Sequence, residues 1–344
     1  MLQIEQRERY SRQILFPGIG AAGQDKLCRA RVAVIGCGAL GTAQVESLAR
    51  AGVGELRLVD RDFVELSNLH RQTLFTESDA LNRLPKAVAA AQRLSEVNSG
   101  IIVTPEVADM NFSNVERLIQ GCDLVLDGTD NFATRYLLND ACVKHGINWI
   151  YGAAVSSYGA TMTIRPRLSP CLRCIFPAEP NAATAPTCDT AGVIQPIIAT
   201  IAAVQVTEAI KLLTGNTDAL HASLLQFDLW ANDWRRIRLK QPAPDCPTCG
   251  LNNYATLNAE RADFTAVLCG RNAVQIASPQ GVKIDLAQLA AKLRPVGAVK
   301  TNAYLTRLSV DGYEITVFAD ARAIIRGTDD VTKARSLYAR YIGL

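Results

Sequence analysis

Two groups of residues in this 344-residue chain have the types and spacing for chemistry. The first begins at Gly36-Cys37-Gly38-Ala39-Leu40-Gly41, after a short β-branched run and before a helical pattern. It continues to Asp60, the end of a second apolar run. Glycines so placed let the backbone approach a phosphate, and a helix N-terminus aims N–H groups at it. An acid at the end of the second strand grips a ribose hydroxyl. The stretch therefore predicts a bound nucleotide. It does not separate a nicotinamide or flavin from ATP, and an NAD-dependent oxidoreductase stays open at this point.

The segment that follows, "DRDFVELSNLHRQTLF", narrows the choice. A dehydrogenase needs one acid here. This chain supplies Asp60, Asp62, Asn68, Arg71 and Gln72 together, then Lys86. Such cations neutralise charge on a leaving pyrophosphate, as a triphosphate requires. "DLVLDGTDN" sets Asp127 and Asp130 at the end of a later strand, the edge where open α/β sheets bind ligands. A carboxylate beside ATP there suits Mg2+, a hard cation that takes oxygen ligands. Singly, Arg71 and Lys86 also read as solvated charges and Asp130 as a helix cap. As a set they point to ATP.

The second group is sulfur. Cys171 and Cys174, and Cys246 and Cys249, form two C-x-x-C pairs in turn-rich sequence. Four thiolates close a tetrahedral structural Zn2+ site. One pair alone could be a redox motif, but that motif sits at a helix start behind a strand. Two pairs bracketing one region favour zinc. Cys188 stands apart in "APTCDTAGVIQP". Loop exposure and a following helix favour its thiolate, adjacent Asp189 opposes it, and it also reads as an incidental cysteine. Cys28, Cys37, Cys122, Cys142 and Cys269 read as core fillers. His70, His145 and His221 form no catalytic set.

Taken in order, "RYSRQILFPGIG", "GCGALG", "DRDFVELSNLHRQTLF", "PKA", "DLVLDGTDN" and "AGVIQP" resemble the ThiF/MoeB/HesA family, bacterial relatives of ubiquitin-activating E1 enzymes, over residues 5–250. The resemblance implies ATP-dependent adenylation of the C-terminal glycine of a ubiquitin-like sulfur-carrier protein (ThiS/MoaD type). Thiocarboxylate formation for thiamine or molybdopterin synthesis would follow. The implied partners are a Gly-Gly-ended carrier and a sulfur donor such as a cysteine desulfurase or rhodanese. Gly36, Gly38 and Gly41 match the phosphate-binding turn, and Asp60 matches the ribose acid. Asn68, Arg71 and Lys86 match the triphosphate contacts, and Asp130 the Mg2+-linked acid. Asp62, Ser67 and Asn131 go with them as nucleotide contacts. Arg12 matches an arginine that family dimers insert into the partner's ATP site, so a homodimer is expected. Cys188 corresponds to the covalent-transfer cysteine of E1-like enzymes, which some relatives do without. The four paired cysteines match the family's zinc site. A Gly often seen before the Pro-Lys pair is absent from "NRLPKA". Adenylation of a small carboxylate, a peptide or a tRNA-linked group is the alternative.

These residues need an open sheet to hold them. Strands are expected at 31–35, 55–60, 101–106 and 123–127, with helices ending at Ala51 and spanning 86–98, 114–120 and 131–145. This βαβ rhythm predicts a Rossmann-like, mostly parallel α/β sheet. "WIYGAAVSSYGATMTIRP" adds an antiparallel extension. Residues 169–192 read as a functional loop without an element of its own, 196–214 as a helix and 224–239 as strands. Residues 1–250 thus form the expected adenylation domain with its zinc site. Residues 255–344 form a small α+β module without a rhodanese-type cysteine loop. Packing, dimerisation or carrier docking would suit that module. A net charge of +3 argues for neither nucleic acid nor anionic membrane. No apolar run approaches the ~20 residues that span a bilayer, and no signal peptide is visible. Ten cysteines in such a chain suggest a reducing compartment, the cytoplasm.

Overall fold

The computed structural model describes residues 4–180, 188–258, 265–268, 272–276 and 282–343, with the backbone alone at 188–189 and 265–268. The chain forms two compact units, Met1–Ala259 and Glu260–Leu344.

The first unit is built on strands β1 (Arg31–Ile35), β2 (Glu55–Asp60), β3 (Ile102–Val107), β4 (Leu124–Asp127), β5 (Asn148–Val155), β6 (Tyr158–Ile164), β7 (Ser223–Asp228) and β8 (Asp233–Arg238). They form one sheet in the order β3-β2-β1-β4-β5-β6-β7-β8. The first five are mutually parallel. The hairpin β5–β6 reverses the direction, and the rest is antiparallel. β1 is apolar on both sides because helices cover both faces. Val32 and Val34 pack with Val45 and Leu48 of helix Ala39–Ala51, with Leu94 of Lys86–Val97 and with Val206 of Gln195–Thr214. Ala33 and Ile35 pack with Leu118 of helix Val115–Ile119 and with Tyr136 and Ala141 of Phe132–His145. The chain therefore leaves β1 toward one face and β4 toward the other. A crevice opens between their C-terminal ends, the usual ligand position in such sheets.

Helix Gln195–Thr214 starts with Pro196 in its first turn and ends at left-handed Gly215. It corrects one expectation. The most apolar 18-residue stretch of its 20 residues has mean hydropathy 1.6. It is long and apolar enough to cross a membrane, and half of that stretch is buried inside the protein. It carries polar anchors as well. Gln205 donates to the carbonyls of Asp127 and Ile150, 3.0 and 3.1 Å away. The 169–192 segment, expected to lack elements, holds two single-turn helices, Leu172–Ile175 and Cys188–Ala191. Its return is pinned to the β5–β6 turn, where Ser156 N–H donates to Gly192 O at 2.8 Å.

The second unit is a six-stranded antiparallel sheet ordered β11-β12-β13-β14-β10-β9. Its strands are β9 (Thr265–Leu268), β10 (Ala273–Ile276), β11 (Ala298–Thr301), β12 (Leu305–Val310), β13 (Tyr313–Phe318) and β14 (Ala323–Arg326). Helices Leu286–Leu293 and Val331–Tyr341, capped by Asp285 and Asp330, cover it through Leu289, Leu293, Leu337 and Tyr338. Cys269 lies outside the described residues.

Candidate nucleotide site and cysteine cluster

The glycine turn follows β1. Gly36 has φ +90°, and a Cβ on it would stand 2.7 Å from the carbonyl oxygen of Gly128. A Cβ on Gly41 would fall 1.8 Å from the carbonyl oxygen of Gly36. The turns after β1 and β4 thus pack backbone on backbone. Gly38 differs. It caps helix Ala39–Ala51 without a side chain, and a Cβ there would meet only Gln72 Nε2, at 3.9 Å. Gln72 is buried, and its Oε1 has no hydrogen-bond partner among the described residues. An open glycine and free helix N–H groups suit a phosphate, and the orphaned acceptor suits a donor on the same ligand, such as a hydroxyl.

Asp60 closes one side. Its two carboxylate oxygens accept N–H bonds from Cys37 and Asp62, each at 2.7 Å. Burial raises its pKa, and Lys86 pulls it partway back. Lys86 is itself buried, with Nζ 3.3 Å from Asp62 Oδ2. Sequence reasoning passed over Arg61, between these two acids. Its guanidinium lies 3.0 Å from Asp109 Oδ1. Burial would lower the Arg61 pKa, but Asp109, Asp62 and Asp130 outweigh it and hold the charge. Its position inside "DRD" was the available signal.

Asn68 is buried, and its Oδ1 accepts the Glu65 N–H at 3.1 Å. Ser67 is exposed and offers its carbonyl to Arg71 Nη1 at 2.9 Å. The two acids after β4 divide. Asp127 is fully buried and saturated by Thr129 N–H and Oγ1, Arg135 Nε and Gly152 N–H, at 2.8, 2.7, 3.1 and 3.3 Å. It locks the turn. Asp130 is exposed at the mouth. It is not the cap of helix Phe132–His145, because Asn131 Oδ1 accepts the Thr134 N–H at 2.9 Å. Arg12 is exposed on the short helix Ser11–Ile14, beside exposed Leu15 and Phe16.

The four sulfurs of Cys171, Cys174, Cys246 and Cys249 lie within 4.8 Å of one another. Three pairs are 3.8, 3.6 and 3.3 Å apart. A tetrahedron with Zn–S of about 2.3 Å puts its sulfurs roughly 3.8 Å apart, whereas a disulfide needs about 2.05 Å. The donor set fits zinc. The neighbouring Cys171 thiol, hydrogen-bonded to it, lowers the Cys174 pKa to about 4. Helix Phe132–His145 anchors the cluster. Asn139 accepts the Leu172 N–H at 2.8 Å, and Asp140 accepts Thr248 Oγ1 at 2.8 Å and Thr256 N–H at 2.9 Å. The Tyr136 hydroxyl lies 2.6 and 2.9 Å from the carbonyls of Phe176 and Ala178. The Cys188 side chain lies outside the described residues; its backbone opens helix Cys188–Ala191.

The ThiF family profile matches residues 10–248. The chain is 47% identical, over 97% of its length and 99% of the relative's, to the sulfur carrier protein ThiS adenylyltransferase of Bacillus subtilis. It is 41% identical, over 72% of itself and 91% of the relative, to the SAMP-activating enzyme E1 of Haloferax volcanii. Among solved structures, Escherichia coli MccB with ATP aligns with a TM-score of 0.63 at 24% identity, covering 70% of this chain and 74% of that one. That likeness speaks for the fold. With the profile covering the whole nucleotide site, and relatives this similar over most of its length, this chain belongs to the ThiF family.

Proposed function

We propose that the chain uses ATP to adenylate the C-terminal glycine of a ubiquitin-like sulfur carrier of the ThiS type. The near full-length match to a ThiS adenylyltransferase carries this reading. The open Gly38, the orphaned Gln72 oxygen and buried Lys86 support it.

A carboxylate oxygen of the carrier attacks the α-phosphorus of ATP. The bond to the bridging oxygen breaks, and pyrophosphate leaves with that electron pair. The attacking group is already ionised, so no general base is required. Rate comes from positioning and charge neutralisation. Asp60 would hold the ribose, and the N–H groups near Gly38 the phosphates. Lys86, Arg71 and Arg12 of the partner subunit would meet the leaving charge. Asp130 would hold the Mg2+ that offsets charge on the pyrophosphate. The Cys188 thiolate would then attack the acyl carbon and AMP would leave, giving a thioester. Sulfur released as hydrosulfide from a donor persulfide by a thiol reductant would in turn attack that carbon and free the Cys188 thiolate, giving the thiocarboxylate used for thiamine or molybdopterin. The sulfur would come from a cysteine desulfurase or a rhodanese. Zinc would serve folding. The enzyme would act as a cytoplasmic homodimer.

Pyrophosphate exchange into ATP should appear only with the carrier present, and Asp130→Ala should abolish it while the circular dichroism spectrum is kept. Full exchange in that variant would remove Asp130 from the metal role. NAD binding in place of ATP would overturn the function. Cys188→Ser should keep exchange and lose any hydroxylamine-sensitive carrier adduct by mass spectrometry. An unchanged adduct would exclude Cys188.

A further inference from the structure

We propose that the ion pair of Arg61 and Asp109 seats the nucleobase and selects a purine with an amino group at C6. This rests on the adenylation reading above and names the side chains that read the base.

The contacts assigned so far treat all nucleoside triphosphates alike. The glycine turn and the cations meet phosphate, and Asp60 meets ribose. Choice of base needs a separate reader, and the sheet order says where it must stand. From the outer edge inward the strands run β3-β2-β1-β4. The cradle of Gly36 and Gly38 follows β1, and Asp60 ends β2. A nucleotide laid from the first to the second points outward along the edge. Its base, on the far side of the ribose from the phosphates, comes down beyond Asp60, toward the end of β3. Arg61 is the first residue after β2, and Asp109 the second after β3. The two ends are level, since Asp60 pairs with Val107 and the Ala108 N–H donates to the Asp60 carbonyl at 3.1 Å. From β1 to β3 is two strand spacings, about 10 Å at ~4.8 Å each, which one nucleoside bridges.

The side chains there suit a flat ring with a polar rim. Arg61 Nη1 lies 3.0 Å from Asp109 Oδ1, and the two side chains are 32% and 25% exposed. The loop that carries Asp109 is braced from behind. The Asp109 carbonyl accepts Asn111 Nδ2 at 3.1 Å and Asn114 Nδ2 at 2.9 Å. The Asn111 N–H donates to Asn114 Oδ1 at 2.9 Å. An acceptor fixed in this way discriminates better than a mobile one.

The chemistry of the pair then sets the preference. A planar guanidinium stacks on an aromatic face. A carboxylate accepts at about four lone-pair sites over its two oxygens, so Asp109 can hold Arg61 and a ligand amine together. Adenine presents a donor amine at C6, whereas guanine presents an acceptor oxygen there. Hypoxanthine has the same oxygen, and a carboxylate repels it. An arginine beside the ribose acid can instead take a 2′-phosphate, but the Asp109 carboxylate opposes a second anion at this place.

The test measures calorimetric Kd values of the full-length enzyme for ATP, inosine triphosphate, AMP and pyrophosphate. Wild type should bind ATP at least about tenfold more tightly than inosine triphosphate. Asp109→Asn can turn an amide N–H toward the C6 oxygen, so it should narrow that ratio to about threefold or less. Arg61→Ala should weaken AMP about fivefold or more and leave pyrophosphate within about twofold of wild type. A wild type that does not separate the two triphosphates overturns the proposal, and so does an unchanged ratio in Asp109→Asn. Arg61→Ala that keeps its circular dichroism spectrum but weakens pyrophosphate as much as AMP also overturns it, and makes Arg61 a phosphate contact. Wild type that binds neither triphosphate overturns the adenylation reading instead.

Discussion

Gly38 and Gly41 belong to one turn, yet a methyl group has opposite meanings at the two positions. At Gly41 it overlaps the Gly36 carbonyl, so the turn must open. Gly41→Ala should cost about 1–3 kcal/mol, the range for overpacking, seen as a lower Tm together with lost ATP binding. At Gly38 the methyl meets no backbone, although ψ of −145° at φ −81° lies outside the range that residues with a Cβ favour. Gly38→Ala should lower the Tm less than Gly41→Ala does and weaken ATP at least about tenfold by filling the space where phosphate rests. Wild-type ATP affinity in Gly38→Ala would mean that the cradle lies elsewhere. Asp60 supplies a pH test. Its pKa is raised by burial above the ordinary value of about 3.9. As pH falls through that raised value, the carboxylate gains a proton and loses an acceptor for the ribose. ATP binding should therefore weaken from a higher pH than an ordinary aspartate would give. The same shift makes ionised Asp60 a cost to folding at neutral pH, a cost that vanishes as pH falls through the raised pKa. Asp60→Asn should bind ATP weakly and lose that pH dependence in calorimetry.

At the scale of elements, the cysteine cluster gives the plainest expectation: one Zn2+ per chain by metal analysis. Cys249→Ala should lose the metal and lower the Tm. A zinc-free wild type of equal stability would contradict the assignment. The elements also show what could be read from sequence. The runs ending at Ile35 and Asp60 are short, apolar and followed by glycine or acids, so both ends could be placed to the residue. The antiparallel β5–β6 pair expected in "WIYGAAVSSYGATMTIRP" was legible too, because two β-rich runs meet there at a short turn, which only antiparallel neighbours allow. Helix Glu77–Leu81 was missed because a capping box between Thr76 and Asp79 specifies it, and five residues are too few for a period. Asp127 and Asp130 look alike in "DGTDN". They separate because Thr129, Arg135 and Gly152 all bond the first. Gln72 was seen in its stretch, but its unpaired oxygen is a property of packing.

For the whole molecule, the placement of Arg12 carries the expectation. It is exposed with Leu15 and Phe16 rather than gathered into the crevice. If each ATP site is completed across a two-fold axis, mixing Arg12→Ala and Lys86→Ala chains should restore about a quarter of wild-type exchange. Half of a random mixture is heterodimer, and each heterodimer has one sound site of two. No recovery despite demonstrated subunit exchange would place Arg12 in its own chain or outside catalysis. The second unit needs another explanation. The match to the Bacillus subtilis relative spans 97% of this chain and so runs through that unit, whereas the Haloferax relative matches 72%.

Helix Phe132–His145 is more than cover for the sheet. Its cap, Asn131, adjoins the exposed acid, and Asn139 and Asp140 farther along hold the two sides of the sulfur cluster. Tyr136 between them holds the chain as it leaves toward residue 178. A single rod, about 12 Å from Phe132 to Asp140 at ~1.5 Å per residue, therefore links the four-sulfur cluster to an acid it never touches. If that cluster holds zinc, trace-element supply becomes a variable in both stability and nucleotide affinity: enzyme starved of the metal should melt earlier and grip ATP less firmly.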